Sequence, residues 1–537
     1  MQISGNIVDV TRKEIYYGSF EIKSGRISRL TKISSEKKNK YYLMPGFVNS
    51  HIHIESTMLS PAEYARCVIR FGSVAAICDP HEIANVLGVY GIDFMIENGK
   101  NVPFKFYYGV PSCVPATEYE TSGFELNAEV IKSLLKNDDI SFLAEVMNYP
   151  AVLNNDKEIY EKINAAHHYK KPVDGHAPGL SGKDLYKYSN AGITTDHECF
   201  SYDEALEKIK AGIKIQIREG SAAKNFNALY KLIDQFPDEV MICTDDSHPD
   251  DLQKGHLNII LKQGINKNLN IFNLLKTVTV NPIKHYNLNV GLLNEGDPAD
   301  FIEVDNLKEL NVTKTYIRGK LLFNGKKVFF PESKMLSINN FNRSKISDKD
   351  IQLSSNEKFT STIGVIDGEL ITKHFMFKLN KINNYLQPDI TNDVLKIVIA
   401  NRYNDAKPSV GFIHNFGLIR GAIASTIAHD SHNIIAVGVS DEMIVKAINR
   451  LVETKGGIVA CDETEIVELS LEIAGLMTNE KIEVVSQKYI SINKKAKELG
   501  SQLKAPFMTL SFMSLLVIPE LKLSDKGLFD VTKFKFI

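Results

Sequence analysis

The feature of this 537-residue chain that most restricts its fold is a repeated alternation of strand-like and helix-like segments across residues 46–295. Apolar strand candidates include SVAAICDP, ISFLAEVMN and EVMICTDDS, and helix candidates between them include SPAEYARCVIRF and SYDEALEKIKA. Two consecutive strands can be parallel only if the chain between them returns to the edge of the sheet where the first strand began, and this long crossover is usually a helix. The alternation therefore predicts a parallel α/β fold.

The strand candidates end in polar residues, and this favours one of the two common parallel folds. The polar residues at the strand ends are Asp79, Glu145, His176, Asp196, His197, Arg218, Glu219, Asp245 and Asp246. A (β/α)₈ barrel builds its site from the carboxyl ends of all its strands, whereas an open doubly wound sheet binds ligands at one switch point. We therefore predict a TIM-like (β/α)₈ barrel over residues 46–295.

The rest of the chain predicts two further domains, because 537 residues exceed one ordinary hydrophobic core. Residues 1–45 and 296–340 are β-rich with turn residues, so we expect them to pair as a composite small β-sandwich domain. Residues 340–360 are polar and typical of a linker. The remainder, within 341–537, mixes strands and helices and predicts a C-terminal α+β domain.

Charge and cysteine usage argue against several classes of protein. Lys and Arg number 63 and Asp and Glu 65, so no basic field attracts nucleic acid or an anionic membrane. No signal peptide begins the chain, and no apolar run is long enough to span a bilayer. The six cysteines are scattered without a disulfide pattern. We expect a cytoplasmic protein that acts on a small molecule.

A metal site is predicted by His51 and His53, which stand two positions apart in MPGFVNSHIHIES. Residues i and i+2 of a strand share one face, so both imidazoles can reach one ion, although two surface histidines would give the same pattern. Glu145, His176, His197 and Asp245 follow other strands and would converge with them.

The six candidate ligands are too many for one catalytic ion that keeps an open position. Imidazoles and carboxylates without thiolates suit Mn²⁺, Fe²⁺ or Zn²⁺. We therefore expect two ions that share a bridging carboxylate, with Glu145 in the best position, and a bridging hydroxide whose parent water has a lowered pKa.

Motifs along nearly the whole chain resemble those of the bacterial adenine deaminases of the amidohydrolase superfamily. The motifs are PGFVNSHIHIES, DPHEIANVLG, EVMNYP, DGHAPGLSG, GITTDHECFS, REGSAAKN, CTDDSHPDDL, GHLN, NPIKHY, GDPADF, HNFGL, GAIASTIAHDSHNI and APFMTLSFMSLLVIPELKLSDKGL. The HxH motif is common to many amidohydrolases, and the C-terminal motifs are much more specific. Three positions depart from the family pattern without removing a ligand: Asn49 and Ser50, where Asp-Ala is commoner, and Ser247, where Arg is commoner.

The resemblance implies hydrolysis of adenine to hypoxanthine and ammonia in purine salvage. It implies that the six residues bind a dinuclear Mn²⁺ or Fe²⁺ centre, that Asp245 also shuttles protons, and that the protein is a homodimer. The H-x-E…P-C-x-x-C signature of the zinc nucleobase deaminases is absent from the sequence.

Other residues near the strand ends have weaker assignments. Glu198 and Glu219 are candidates to protonate the purine ring, or are structural ion-pair partners. His81 and Glu82 are candidates to contact the base, although Asp79 and its neighbours could instead cap a helix. Alternation along the strand predicts that Asp246 points away from Asp245 and orients a neighbour near the substrate.

The C-terminal block contains a second group of polar residues, His414, His429, Asp430 and His432. The segment AIASTIAHDSHN either closes over the barrel mouth or forms a buried polar turn that stabilises its own domain. The pattern does not distinguish between these interpretations.

Two other functions are compatible with parts of the pattern. A cyclic-amide hydrolase of the dihydropyrimidinase or dihydroorotase type commonly bridges its metals with a carboxylated lysine, but in this chain the bridging strand ends in Glu145. A barrel that serves only as a scaffold needs no ligands, whereas all six candidates are present.

Overall fold

Parallel strands alternate with helices in the first half of the computed structural model, which describes residues 1–221 and 223–537. Five strands form one parallel sheet: Phe47–Ile52, Ser73–Cys78, Lys105–Val110, Ile140–Val146 and Val173–Gly175. Three more form a second parallel sheet: Thr195–Asp196, Lys214–Arg218 and Val240–Cys243. The predicted parallel α/β fold is confirmed.

The two parallel sheets meet along both edges. At one seam the Thr194 N–H donates to the Val173 carbonyl at 2.9 Å, and at the other the Asp245 N–H donates to the His51 carbonyl at 3.1 Å. The Ser50 hydroxyl adds a bond to the Ile242 carbonyl at 2.9 Å. The strands therefore curl into a TIM-like α/β core, with their carboxyl ends around one mouth.

Helices connect these strands, and several begin at capping side chains that satisfy a free backbone N–H. Ser201 caps the predicted helix in SYDEALEKIKA by accepting from the Glu204 N–H, and Asn270 caps a later one. The helices of this part are Pro61–Val68, His81–Leu87, Val89–Lys100, Ala128–Leu135, Tyr149–Leu153, Lys157–His168, Gly182–Asn190, Tyr202–Lys210, Phe226–Leu229, Leu232–Gln235, Pro249–Leu252, Leu257–Asn266, Ile271–Lys276 and Val280–His285.

The two β-rich flanking segments pair with each other, as predicted. Their strands are Gln2–Asp9, Glu14–Lys23, Arg26–Ser35, Tyr42–Pro45, Phe301–Val304, Val312–Ile317 and Lys320–Phe323. All seven belong to one hydrogen-bonded sheet, in which Tyr42–Pro45 lies between Gln2–Asp9 and Phe301–Val304. The sheet folds over on itself, since the rings of Phe20 and Phe301, three strands apart, have centroids 5.0 Å apart. The expected arrangement as a sandwich of two facing layers stays a prediction.

The C-terminal block is built around an eight-stranded mixed sheet with helices on both faces. Its strands are Thr360–Val365, Thr372–Phe377, Val394–Ala400, Ser409–His414, Ala422–Ser425, Ile434–Gly438, Gly457–Cys461 and Ile466–Ser470. Helix Asp441–Thr454 packs on one face, and helices Ile482–Glu498 and Pro506–Ser511 pack on the other. Short strands lie at Lys381–Ile382, Tyr385–Leu386, Leu521–Ser524, Gly527–Asp530 and Lys535–Phe536.

The polar segment 340–360, predicted as a linker, packs against this block. Ile346 and Ile351 are buried beside helix Asp441–Thr454. The Ile346 N–H donates to the Asn449 side chain at 2.8 Å. The segment therefore belongs to the surface of the C-terminal block, because its two apolar side chains find a core there.

Short 3₁₀ helices occur at Ile54–Thr57, Ile69–Phe71, Asp348–Ile351, Ile390–Asn392 and Phe512–Ser514. None of the helices formed by residues 1–221 and 223–537 has both the length and the apolar character needed to cross a membrane.

We predict that Asn49 stabilises the closure of the core. Its buried amide donates to the Thr244 hydroxyl at 2.7 Å and accepts from the Thr244 N–H at 3.1 Å, joining the first strand to the last. Asn49→Ala removes both bonds and leaves a buried N–H unpaired, so it should destabilise the fold by about 1–3 kcal/mol. Thermal unfolding monitored by circular dichroism measures this loss.

The matched control is Asn266→Ala, at an exposed position on helix Leu257–Asn266. Such a surface change should alter stability by no more than about 0.5 kcal/mol. Equal unfolding midpoints for the two variants would show that Asn49 does not hold the seam.

Candidate metal centre and active site

The six side chains predicted as metal ligands lie together at the mouth of the core, although they come from five strand ends. The Nε2 atoms of His51 and His53 are 3.1 Å apart. Glu145 lies with Oε1 3.3 Å from His53 Nε2 and with Oε2 2.7 Å from His176 Nδ1 and 3.3 Å from His197 Nε2. One carboxylate therefore contacts three imidazoles.

Asp245 completes the cluster. Its Oδ1 lies 3.2 Å from His53 Nε2 and 3.6 Å from His51 Nε2. Together, His51, His53 and Asp245 form one group of converging ligand atoms, and His51, Glu145 and His197 form another. The two groups adjoin at His51, whose one free ring nitrogen can serve a single ion, and they mark two neighbouring candidate cation positions.

The hydrogen bonding of His53 provides a test of whether a metal fits. Its Nδ1 lies 3.1 Å from the Asp79 carbonyl, which can only accept, so Nδ1 carries a proton and Nε2 is the ring atom that faces the cluster. Nε2 faces two carboxylate oxygens, those of Asp245 and Glu145, at 3.2 and 3.3 Å. Between these acceptors Nε2 needs a cation, either a second proton or a divalent metal ion in its place. Burial opposes the second proton, but the two carboxylates favour it and raise the pKa of His53 well above its ordinary value. The donor set therefore fits a metal.

The two carboxylates are held in the ionised form that metal ligands need. Burial opposes ionisation of Glu145, but its contacts with His176, His197 and His53 outweigh burial and keep the pKa well below its ordinary value. For Asp245, burial is outweighed first by Arg218 and then by the histidines, so its pKa is also lowered.

Arg218 is a site residue to which the sequence pattern alone assigned no role. Its Nη1 donates to Glu198 Oε1 at 2.5 Å and to Asp245 Oδ2 at 2.6 Å, and its Nη2 donates to Glu198 Oε2 at 2.7 Å. The available signal was its position at the end of the strand in IKIQIREGS. A guanidinium is not a metal ligand, so the pattern of candidate ligands does not include it.

Asp246 does not point away from the site, contrary to the expected strand alternation. Both Asp245 and Asp246 line the same cavity, and Asp246 Oδ1 accepts from the Ser56 hydroxyl at 2.5 Å. The strand ends at Cys243, and Asp245 has the left-handed φ of 50°. The period of two does not continue through such a residue.

Glu219 lies away from the cavity, which corrects its assignment to the substrate. Its Oε1 accepts from the Phe226 N–H at 3.1 Å, and its Oε2 lies 3.4 Å from the Gln263 amide. Because Arg218 occupies the inward position on this strand, its neighbour Glu219 faces the surrounding helices. Glu219 therefore anchors a helix start.

His81 and Glu82 both border the cavity from the first turn of helix His81–Leu87. His81 Nδ1 lies 3.1 Å from Asp79 Oδ2 and 3.4 Å from Glu145 Oε1. Asp79 does not cap this helix by its side chain; Glu55 Oε1 instead accepts from the Ile83 N–H at 3.2 Å. His81 therefore lies beside the six candidate metal ligands.

The C-terminal block meets the core at Glu82. His429 Nδ1 lies 2.7 Å from Glu82 Oε1, and His432 Nε2 contacts Glu82 Oε2. The Ser431 hydroxyl donates to Glu120 Oε2 at 2.8 Å. Residues 428–433, which we call the 428–433 loop, therefore lie over the mouth of the core, as the first of the two sequence interpretations expected.

His414 does not belong to this group. Its Nδ1 lies 3.1 Å from the Asp393 carbonyl, and its ring packs beside Phe375 and Phe377.

One cavity is thus bounded by both parts of the chain. From the core come charged and imidazole side chains: His53, His81, Glu82, Glu145, His176, His197, Glu198, Arg218, Asp245 and Asp246. From the C-terminal block come mainly apolar side chains together with two polar ones: Leu370, His429, Asp430, Phe512, Leu515, Val517 and Ile518. This cavity can hold a small planar molecule between a reactive wall and an apolar wall.

Family models match the two parts separately. Residues 42–322 match the amidohydrolase family, and residues 369–535 match the adenine deaminase C-terminal domain. Among solved structures, the beta-aspartyl dipeptidase of Fervidobacterium islandicum AW-1 superposes with a TM-score of 0.47 at 16% identity, over 61% of this chain and 99% of that chain.

Curated relatives match nearly the whole chain. A protein of Methanosarcina mazei named adenine deaminase is 50% identical over 99% of this chain and 98% of its own. Proteins of the same name from Sulfurovum sp. and Borreliella burgdorferi are each 48% identical over 100% of this chain and 99% of theirs. The chain therefore belongs to the adenine deaminases of the amidohydrolase family.

Proposed function

We propose that this protein hydrolyses adenine at C6, with water as co-substrate and hypoxanthine and ammonia as products, as a step of purine salvage. The observation that carries this proposal is the single cavity bounded by the six-residue cluster on one side and by the C-terminal block on the other. Relatives at about half identity over the full length bear the name of this activity.

We also propose that the core is a complete (β/α)₈ barrel and that the C-terminal block is an adenine-deaminase-type α+β domain. Eight parallel strands with hydrogen bonds across both seams support the barrel. The proposed boundaries remain 1–45 and 296–340 for the composite sheet domain, 46–295 for the barrel and 341–537 for the C-terminal domain.

The metal proposed for the site is a pair of Mn²⁺ or Fe²⁺ ions held by His51, His53, Glu145, His176, His197 and Asp245. Such a pair lowers the pKa of a bound water and so supplies the nucleophile at neutral pH. The metal identity and a homodimer are proposed from the family resemblance, and a cytoplasmic location from the scattered cysteines without a disulfide pattern.

Asp245 is the proposed proton shuttle. Its Oδ2 is held by Arg218, which fixes the carboxylate, while Oδ1 faces the imidazole cluster. In the reaction the attacking water loses protons, and the departing amine gains one, so a fixed carboxylate between them can relay a proton.

Of the two carboxylates proposed to protonate the purine ring, only Glu198 lines the cavity. Both of its oxygens accept from Arg218, so it also positions that guanidinium. We propose that Glu198 faces the ring edge and that His81, Glu82 and Asp246 border the bound base.

Replacing Glu145 by Gln should lower metal content and activity together, because the amide lacks the charge needed to bridge two cations. Loss of a residue that only supports a metal ligand already weakens metal binding about 10- to 100-fold, so loss of the bridge should exceed that. Metal analysis and ammonia release measure the two effects. Glu129→Gln, at an exposed helix position, is the control. Full metal occupancy with normal turnover in Glu145→Gln would refute the bridging role.

Free adenine should be deaminated better than adenosine by about 10²-fold or more in kcat/KM. The wall contributed by Phe512, Leu515, Val517 and Ile518 is apolar, so ribose hydroxyl groups would be buried against it without partners. Ammonia release from the two substrates with Mn²⁺-loaded protein gives the ratio. Equal values of kcat/KM would contradict the proposed free-base specificity.

Asp245→Asn should reduce kcat by at least about 10²–10⁴-fold, because it keeps the size but removes the basic oxygen. Asp246→Asn should reduce kcat less, since that carboxylate accepts from Ser56 and does not contact the imidazole cluster. Both variants are compared at equal metal content to separate chemistry from metal loss. A larger loss in Asp246→Asn would mean that the two aspartates have exchanged roles.

A further inference from the structure

The 428–433 loop is held in place by hydrogen bonds within the C-terminal block. The His432 N–H donates to the Ala428 carbonyl at 2.7 Å, and the His429 N–H donates to the Ser511 carbonyl at 3.0 Å. The Ser514 hydroxyl donates to the His429 carbonyl at 3.1 Å. The loop therefore presents its side chains to the cavity from a rigid support.

Glu82, His429 and His432 could in principle hold a third cation, since their ligand atoms converge. The hydrogen bonding of His432 argues against it. Its Nδ1 accepts from the Ala428 N–H at 3.3 Å, so the neutral ring carries its proton on Nε2 and donates to Glu82. A metal at Nε2 would require an imidazolate. The group is therefore a hydrogen-bonded clamp in which Glu82 accepts from both imidazoles.

Asp430 differs from its neighbours because it lacks such partners. It is 3% exposed, lines the cavity, and its Oδ2 has no hydrogen-bond partner among the described residues. The nearest imidazole nitrogen, His429 Nδ1, is 3.8 Å from Oδ1, which is beyond hydrogen-bond distance. Burial accordingly raises the pKa of Asp430 to about 6. Burying a carboxylate that accepts no hydrogen bond is unfavourable, unless a molecule bound in the cavity supplies a hydrogen-bond donor.

An adenine molecule offers two kinds of N–H donor to such an acceptor. The 6-amino group is the leaving group, so it must face the imidazole cluster and Asp245 on the barrel side. The remaining donor is the N–H of the imidazole ring of the base. Asp430 reaches the cavity from the C-terminal block, whereas the imidazole cluster and Asp245 belong to the core, so Asp430 is available to the donor that the core does not use.

We infer that Asp430 is a substrate-binding residue that selects the free base by accepting a hydrogen bond from the imidazole-ring N–H of the purine. The inference rests on the proposed function and deepens it. A purine alkylated or glycosylated at N9 lacks the ring proton and would leave Asp430 buried without a partner. A site discriminates strongly against a ligand that lacks a hydrogen-bond donor, because the acceptor in the site then stays buried and unpaired at the full cost of its desolvation.

The test compares adenine with 9-methyladenine on full-length, Mn²⁺-loaded protein at pH 8. The kcat/KM for adenine and the inhibition constant of 9-methyladenine against adenine deamination are measured for the wild type, Asp430→Ala and Asp430→Asn. Asp430→Ala should lower kcat/KM for adenine about 10- to 100-fold, the usual range for a bond to a charged group. Asp430→Asn should lower kcat/KM for adenine by a smaller factor, because the amide oxygen of Asn can still accept the hydrogen bond from the ring N–H.

The inhibition constant of 9-methyladenine should stay within about threefold in both variants, or improve in Asp430→Ala, because this ligand makes no such bond. Asp348→Ala, an exposed change in the same block, is the matched control and should match the wild type in all measurements. Metal content and the unfolding midpoint are recorded for each variant.

The inference would be overturned if, at normal metal content, kcat/KM for adenine fell and the inhibition constant of 9-methyladenine rose by the same factor. It would also be overturned if kcat/KM for adenine did not change. If Asp430→Ala does not fold, the same comparison is made with Asp430→Asn, which keeps the side-chain size. A wild-type protein that releases no ammonia from adenine would instead refute the proposed function. The two failures are therefore distinguishable.

Discussion

The carboxylate of Glu145 is the point on which the rest of the site depends. Its two oxygens contact imidazoles from three different strand ends, at 2.7 to 3.3 Å. Such contacts are possible only if the parallel strands curl until the first and last meet. The bonds of Asn49 and Ser50 across that seam are therefore part of the site, although neither side chain is a proposed ligand. These are two of the positions where the sequence departs from the family pattern, and both contribute to closure of the core.

Periodicity and strand-end chemistry predicted much of this arrangement. The alternation identified the parallel core, and the polar residues after each apolar strand identified the six clustered side chains, because carboxyl ends of parallel strands meet at one edge. The errors arose where local geometry departs from the ideal strand. The left-handed backbone of Asp245 cancelled the alternation expected for Asp246, and Glu219 proved to be the outward neighbour of an inward-facing Arg218.

Other features lay beyond any local pattern. Glu82 meets His432 across 350 positions of sequence, and no spacing rule predicts which of the polar residues in two distant segments will pair. His414, in contrast, belongs to the same sequence group as His429 and yet packs elsewhere against aromatic rings. Arg218 was visible in the sequence but was not assigned a role, because reasoning from metal ligands alone ignores the cation that orients two carboxylates.

The pairing of Glu82 with the 428–433 loop also brings the C-terminal block to the cavity. The mouth of the core concentrates carboxylates and imidazoles, which suit a reaction that moves protons, and it offers little apolar surface. The C-terminal block contributes apolar surface through Leu370, Phe512 and Leu515. Its position depends on a carboxylate buried at the domain junction, and removing either partner of such a pair is costly because the other remains unpaired. One side chain thereby joins the two parts of the cavity: Glu82 contacts His81, which lies beside the candidate metal ligands, and it also contacts His429 of the loop that carries Asp430.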